Sequence, residues 1–552
     1  MLRQINTSAS YNAILLSAIS LTLAACGGGG ASTAAVNNAP ANQASASSFE
    51  DGYPIASDPL TLKNDPTCVI QYTPNTATEQ AGPDPLLNNQ WHLKNTAQLR
   101  GKLGEDINVE AAWKITTGEG VRIALVDDAL EVTHSDLKSN VVTGASYNYR
   151  PAIKGSAFPL PCTKADGHGT SVAGIIASRA SNNIGTVGIA PKAQLVGYNA
   201  LSLDLTADIA DALNRDMALN SIYHNSWGSP DTGEVNEAEP EFNQAIARGI
   251  KEGRSGKGSI FVFPAGNGGC YEVTGVAGCQ RDNANFDGYI NRLGVITVGA
   301  LDQQGRSPWY AEQGSNILIS APAGDSLAGI TTTAIANTYR SDFIGTSASA
   351  PMASGVIALM LSVNPQLTWR DVPIILARSA RMNDPTDTGW SARFNHKYGF
   401  GALDATAAVN MAKSWITVGG TSTLKICTTT VSGVTDLPDT GAPLSSTAAL
   451  LNCGISAIEH VAITVQVDHE YAGDLAIDLF SPTGTVSNLA TPRRCETNDR
   501  ANNTCGSFLN WQFGSVRHLD ERASGNWNLA VKDTVTGKSG KLLGWTITVR
   551  GR

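Results

Sequence analysis

"DGHGTSVAGI" (166–175) sets one histidine between two glycines and then runs into small and apolar residues at helical spacing. Either the glycines shape a turn, or they clear the approach to an imidazole that another molecule must reach. The flanking segments decide between these. Upstream, "VRIALVD" (121–127) is a short apolar run that ends in Asp127-Asp128. Downstream come "QLVGYNAL", "SIFVFPAG" and "GVITVGAL", each read as a strand buried on both faces, and "EPEFNQAIARGIKEG" and "APMASGVIALMLSV", each with apolar residues at helical period. Strands and helices in alternation predict an α/β domain, a mostly parallel sheet flanked by helices. In such sheets ligands gather beyond the carboxyl ends of the strands.

Three polar groups sit where that rule directs attention. "FIGTSASAPMASGVIALM" (343–360) places Ser347 just before a helix, with Pro351 near its first turn. Small neighbours admit a carbonyl carbon, and the positive end of a helix favours a developing oxyanion. A serine hydroxyl needs a base, for which His168 is the candidate, and the base needs a carboxylate to hold its tautomer, for which Asp127 is the candidate. "FVFPAGNGG" adds Asn267 on a glycine-rich turn as the oxyanion donor.

The remaining chain frames this domain. Length and composition, 552 residues with 42% hydrophobic and 16% charged, support several globular units. A net charge of −9 argues against a nucleic-acid partner, which needs clustered Lys and Arg. Residues 1–25 read as a lipoprotein signal peptide, because the apolar stretch "AILLSAISLTLAAC" is too short for a permanent span and ends in a lipobox-like Leu-Ala-Ala-Cys. Lipidation of Cys26 would tether an exported protein to a membrane, with the outer membrane, cell surface or periplasm as its expected place. Residues 26–83 read as a flexible leader, 84–415 as the α/β domain, and 421–552 as an all-β sandwich. In that last region Val461, Ile463, Val465 and Val467 alternate, as do Leu475, Ile477 and Leu479, and then Trp527, Leu529 and Val531. The acidic stretch "VDHEYAGDLAID" (467–478) is expected to be a solvated strand face.

Nine cysteines leave eight once Cys26 is set aside, which suits an oxidising compartment. Proximity suggests Cys270 with Cys279, Cys427 with Cys453, and Cys495 with Cys505. Cys68 and Cys162 would then tie the leader to the body.

The order Asp, His, Asn, Ser, with "ALVDD", "DGHGTSVAG", "SWG", "AGNGG" and "GTSASAP", resembles the subtilisin family of serine proteases. The resemblance implies Asp127, His168 and Ser347 as a catalytic triad and Asn267 as oxyanion donor. "DPLLNNQWHLKNT", "NSWGSPDTG", "NFDGYINRLGVITVGALD" and "PWYAEQGS" are similar to segments of the kexin and furin branch, and the β-rich tail is similar to that branch's jelly-roll-like P-domain. From that branch follow further expectations. Asp287 would hold a basic side chain before the scissile bond, Asp128 the basic residue preceding it, and Ser226, Trp227 and Gly228 would form the edge to which a peptide adds. Two Ca2+ sites are implied, one from Asp84, Asp136 and Asn182, the other from Asp231, Asp282 and Glu312. The leader from Gly27 to Pro83 holds one basic residue, Lys63, so no dibasic self-cleavage site is evident and an external folding chaperone is expected. The expected function is thus a lipid-anchored, calcium-stabilised serine endopeptidase cutting after basic, preferably dibasic, residues of proteins and peptides. A broad-specificity protease and a catalytically inactive surface adhesin are the alternatives.

Overall fold

The computed structural model describes residues 79–272, 279–495 and 505–552. The signal peptide, Cys26, Cys68 and nearly all of the leader lie outside them.

Among the described residues ten strands belong to the α/β part: β1 Arg122–Val126, β2 Gln194–Tyr198, β3 Ile222–Asn225, β4 Ile260–Pro264, β5 Tyr271–Glu272, β6 Cys279–Gln280, β7 Val295–Leu301, β8 Ile317–Pro322, β9 Ile330–Ala334 and β10 Thr338–Phe343. Six form one parallel sheet in the order β2-β1-β3-β4-β7-β8. The sequence reading found β1, β2, β4 and β7 and passed over β3 and β8. In β3 the run is only four residues, "IYHN", and its buried His224 and Asn225 disguise it as a polar turn.

Each sheet face carries its own apolar core. Helices His168–Ala177 and Thr346–Val363 cover one side, and Thr206–Ala212 and Pro240–Glu252 cover the other. Thr346–Val363 is apolar around nearly its whole circumference because it is buried on nearly its whole circumference. Strand order changes direction between β1 and β3, and that switch point opens a crevice at the carboxyl ends of the strands. Asp127 follows β1 and Ser226 follows β3, so both stand at its mouth. The antiparallel hairpin β9–β10 runs directly into Gly345-Thr346-Ser347 and walls the crevice.

Among the described residues the second unit has eight strands: β11 Lys425–Leu437, β12 Leu444–Leu450, β13 Ile458–His469, β14 Leu475–Phe480, β15 Val486–Ala490, β16 Phe508–Ser515, β17 Gly525–Asp533 and β18 Gly540–Gly551. They pair antiparallel into two sheets, β11-β18-β13-β16 and β12-β17-β14-β15. The alternating residues face inward as their period requires, with Val461, Ile463, Val465, Leu475, Ile477, Leu479, Trp527, Leu529 and Val531 fully buried between the sheets. In the acidic stretch Asp468 and Glu470 are exposed, as a solvated face requires, and Asp474 departs from that expectation. Asp474 is fully buried and accepts from Arg494 Nη1 at 2.8 Å, while His469 lies 3.1 Å from Asp533. A carboxylate without water needs such a cation, and the cation came from a loop 20 residues on.

Disulfides join Cys427 to Cys453 and Cys495 to Cys505. Cys162 and Cys270 are also disulfide-bonded, while Cys68 and the Cys279 side chain fall outside what is described.

Candidate active site

His168 is the first residue of its helix, and its Nδ1 lies 2.9 Å from Asp127 Oδ1. The approach depends on Gly169. A Cβ there would lie 2.2 Å from the Ala129 carbonyl and 2.9 Å from Asp127 Cβ. This glycine therefore lets helix and strand end meet, rather than clearing room for an incoming molecule. Burial lowers the basicity of the imidazole, but the charges of Asp127 and Asp128 outweigh it, and the net shift is upward. The ring packs edge-on against Phe343, 5.5 Å between centroids.

Asp128 sits at the crevice, yet its carboxylate already has work to do. Its Oδ1 accepts the N–H groups of Ala129 (2.6 Å) and Gly169 (2.8 Å), and its Oδ2 accepts that of His168 (3.0 Å). It thus caps the helix that presents the histidine. Desolvation and the neighbouring Asp127 push its carboxyl up to about 8.

Ser347 is the second residue of helix Thr346–Val363. Pro351, expected near the first turn, lies deeper inside that helix, where it supplies no N–H to the carbonyl four residues back, that of Ser347. The Ser347 hydroxyl donates to the carbonyl of Ser226 at 3.2 Å. Ser347 and the His168 imidazole line the same crevice. Asn267 Oδ1 accepts from Thr346 N (2.8 Å) and Thr346 Oγ1 (3.0 Å), which fixes the amide of this crevice-lining residue by its oxygen side to the start of the helix. Gly345, at φ 99°, allows this contact, since a Cβ would lie 3.3 Å from Asn267 Oδ1.

On the other side of Ser347, Ser226, Trp227 and Gly228 run along the crevice. The Trp227 indole is anchored by its N–H on the Val126 carbonyl at 2.9 Å and packs on Phe242, Phe263 and Tyr289. Beneath Gly228 lies Asp287, whose Oδ2 would be 2.7 Å from a Cβ at that position. Its oxygens accept from Ser229 N (3.0 Å), Ser229 Oγ (3.0 Å) and Tyr289 N (2.7 Å). Burial raises its pKa against those donors.

Below this pocket three carboxylates crowd one glycine. A Cβ on Gly268 would lie 2.7 Å from Asp282 Cβ, 2.9 Å from Asp231 Cβ and 3.1 Å from Glu312 Oε1. Burial and mutual repulsion push Asp282 up to about 7 and Glu312 well above its usual range. Such a cluster calls for protons or a hard cation. Asp84, Asp136 and Asn182 also come together: Asp136 accepts from Asn182 Nδ2 (3.0 Å) and Thr186 N (2.8 Å), and Asp84 from Ser181 N (2.7 Å) and Asn182 N (3.0 Å). Both sets take protein N–H donors, since Asp282 accepts from Gly233 N (2.7 Å) and Asn283 N (2.8 Å) and Glu312 from Gly268 N (3.0 Å), but only the first crowds three carboxylates together. Among the described residues no three His, Cys, Asp or Glu side chains form a chelating group unaided, so an ion at either place would also draw on backbone carbonyls.

Sequence reasoning missed what holds the pocket from behind. Residues 283–291, which carry Asp287, dock on the second unit. Trp511 Nε1 donates to Asn285 O (3.2 Å), Gly514 N to Asn285 Oδ1 (2.8 Å), and Asn291 Nδ2 to Gln512 O (2.6 Å). Arg493, buried, stacks 3.7 Å from the Phe286 ring and donates to the Gly233 carbonyl. Nothing in the spacing of the sequence relates Arg493 to Phe286.

A sequence model of the subtilase family matches residues 118–401, and one of the proprotein convertase P-domain matches residues 458–549. Protease KEX1 of Kluyveromyces lactis is 37% identical over 480 residues, 85% of this chain and 60% of its own length. Kexin of Saccharomyces cerevisiae is 34% identical over 480 residues, covering 85% and 56%. The chain thus spans a little over half the length of these curated relatives. Among solved structures, a serine protease of Aeromonas sobria superposes with a TM-score of 0.77 at 27% identity, over 87% of this chain and 97% of that one. The same protease in complex with a chaperone gives 0.76 at 27% identity, over 85% and 95%. With a parallel sheet presenting aspartate, histidine, asparagine and serine at one crevice, and a convertase-type P-domain behind it, the chain belongs to the subtilase family.

Proposed function

We propose that this chain is a serine endopeptidase that cleaves peptide bonds after basic residues. The observation that carries the reading is the 2.9 Å Asp127–His168 bond at the crevice that also holds Ser347 and the anchored amide of Asn267. An extended substrate pairs with the edge Ser226–Gly228 and lowers its basic side chain past Gly228 onto Asp287. The Ser347 hydroxyl turns from the Ser226 carbonyl to His168, gives up its proton to Nε2 and attacks the substrate carbonyl carbon. Asp127 holds the imidazolium that forms, and Asn267 Nδ2 with the Ser347 N–H receives the oxyanion. His168 then returns the proton to the leaving amine, and water repeats the sequence to release the acyl group. Asp128, engaged with three backbone N–H groups, bears first on the helix start and only second on a preceding basic residue, so a preference for dibasic sites rests on its remaining acceptor capacity.

Calcium, when bound, would supply positive charge under the pocket, held by Asp231, Asp282 and Glu312, whose crowding fits it. The lipobox-like residues before Cys26 support export and lipid anchoring. The lone Lys63 in the leader supports a separate chaperone, as does the Aeromonas sobria complex.

The test is a peptide-library profile of the purified protein with and without a chelator, beside Ser347→Ala. Cleavage after Arg or Lys is expected, with a chelator lowering the Tm. Turnover or fluorophosphonate labelling surviving in Ser347→Ala would end the reading.

A further inference from the structure

His224 is the middle of three buried polar side chains, Ser354, His224 and Ser226, whose hydrogen bonds end on the backbone of Ser347. It lies on β3, fully buried, two residues before Ser226. Its Nδ1 is 2.8 Å from Ser354 Oγ and its Nε2 is 2.8 Å from Ser226 Oγ. Ser226 Oγ in turn donates to the carbonyl of Ser347 at 3.2 Å, the carbonyl that Pro351 leaves without its helical donor.

The chemistry of these groups gives the chain a single direction. The Ser347 carbonyl only accepts, so the Ser226 hydroxyl spends its proton there. Ser226 Oγ must then accept from His224, which requires the proton on Nε2. Nδ1 is left as an acceptor and takes the hydroxyl of Ser354. The imidazole is therefore neutral and in one tautomer, as its complete burial also favours. Ser226 and Ser347 thereby bond twice: the Ser226 hydroxyl to the Ser347 carbonyl, and the Ser347 hydroxyl to the Ser226 carbonyl.

We propose that His224 is a positioning residue for Ser347. It orients the Ser226 hydroxyl so that the gap opened by Pro351 is closed from the end of β3, which locks the first turn of the nucleophile's helix to the edge along which substrate lies. His224 touches neither substrate nor reacting atoms and acts only through Ser226. The inference rests on the serine-protease reading of the site and adds to it a residue that sets the nucleophile's place. Ser354 lies about two turns further along the same helix, near its middle, and holds the other side of the imidazole, so the relay clamps one helix at two points.

A double-mutant cycle tests it. His224→Ala is expected to lower kcat about tenfold with KM within about twofold, and to slow fluorophosphonate labelling of Ser347 by a similar factor. Ser226→Ala is expected to do much the same, and the double variant to be no worse than the poorer single variant, because the two act in series. His224→Gln, which can present an Nε2 donor to Ser226, should recover part of the loss, and it carries the same measurement if His224→Ala does not fold. Additive losses in the cycle, or a lowered Tm with kcat and labelling rate unchanged, would overturn the proposal. Wild-type protein that neither labels nor cleaves would instead overturn the protease reading itself.

Discussion

The two ends of the crevice are built on different principles. At the catalytic end, Asp127, Ser226 and the helix starts of His168 and Ser347 are held by the ends of β1 and β3 in one sheet, buried on both faces. At the pocket end, Asp231, Asp282, Asp287 and Glu312 stand on irregular loops, and part of their support comes from Arg493, Trp511 and Gly514 of the sandwich. A sheet interior fixes its strand ends by many short-range contacts. A loop is fixed only as well as its partners allow. Rate therefore belongs to the sheet, and selectivity to the loops and the second unit that backs them.

The comparison breaks most sharply at Asn267. Asn267→Ala removes a donor from the oxyanion and should lower kcat by about 10²–10³ with little change in KM, as steady-state kinetics will show. Retention of kcat would mean the rate does not depend on the catalytic end as built. At the other end, Asp287→Asn should cost about tenfold to a hundredfold in kcat/KM for substrates with Arg before the scissile bond. It should leave the rate of fluorophosphonate labelling within about twofold. An equal loss in both readouts would show that the two ends are not separable.

The smallest effect is a displacement of a pH profile. Burial lowers and the carboxylates of Asp127 and Asp128 raise the pKa of His168, with an upward result. The base works only when neutral, so activity should be lost as pH falls through a value above the usual 6.5. Asp127→Asn removes the nearer charge, and the residual activity should have its acid limb at lower pH. An unmoved limb would mean that the profile reports another group.

Much of the site could be read before folding because its residues sit in short local patterns. Asp127 closes an apolar strand, His168 and Ser347 open helices, and Asn267 occupies a glycine turn, each a feature of fewer than ten residues. The second unit was equally legible, since the period of two in "HVAITVQV" leaves one face to bury. What stayed hidden had no local signature. β3 was missed because His224 and Asn225 are polar, and their burial rests on partners from elsewhere, both ring nitrogens of His224 being bonded to serines and Asn225 Nδ2 to the Val262 carbonyl. Asp128 lines the crevice as expected of a pocket group and also caps a helix, a second role that depends on where residues 40 positions later lie. Asp474 looked solvated until Arg494 closed on it.

By itself the sequence determined the two layer patterns and the types and order of the four polar groups at the crevice, because hydrophobic period and residue chemistry are local properties. Only the tertiary structure decided which oxygens were free: that Asp128 spends its own on backbone amides, that Pro351 hands the Ser347 carbonyl to Ser226, and that Arg493 reaches across to Gly233. The reason is physical. A buried polar atom must find a partner, and the partner is whatever the packing of distant segments brings within about 3 Å.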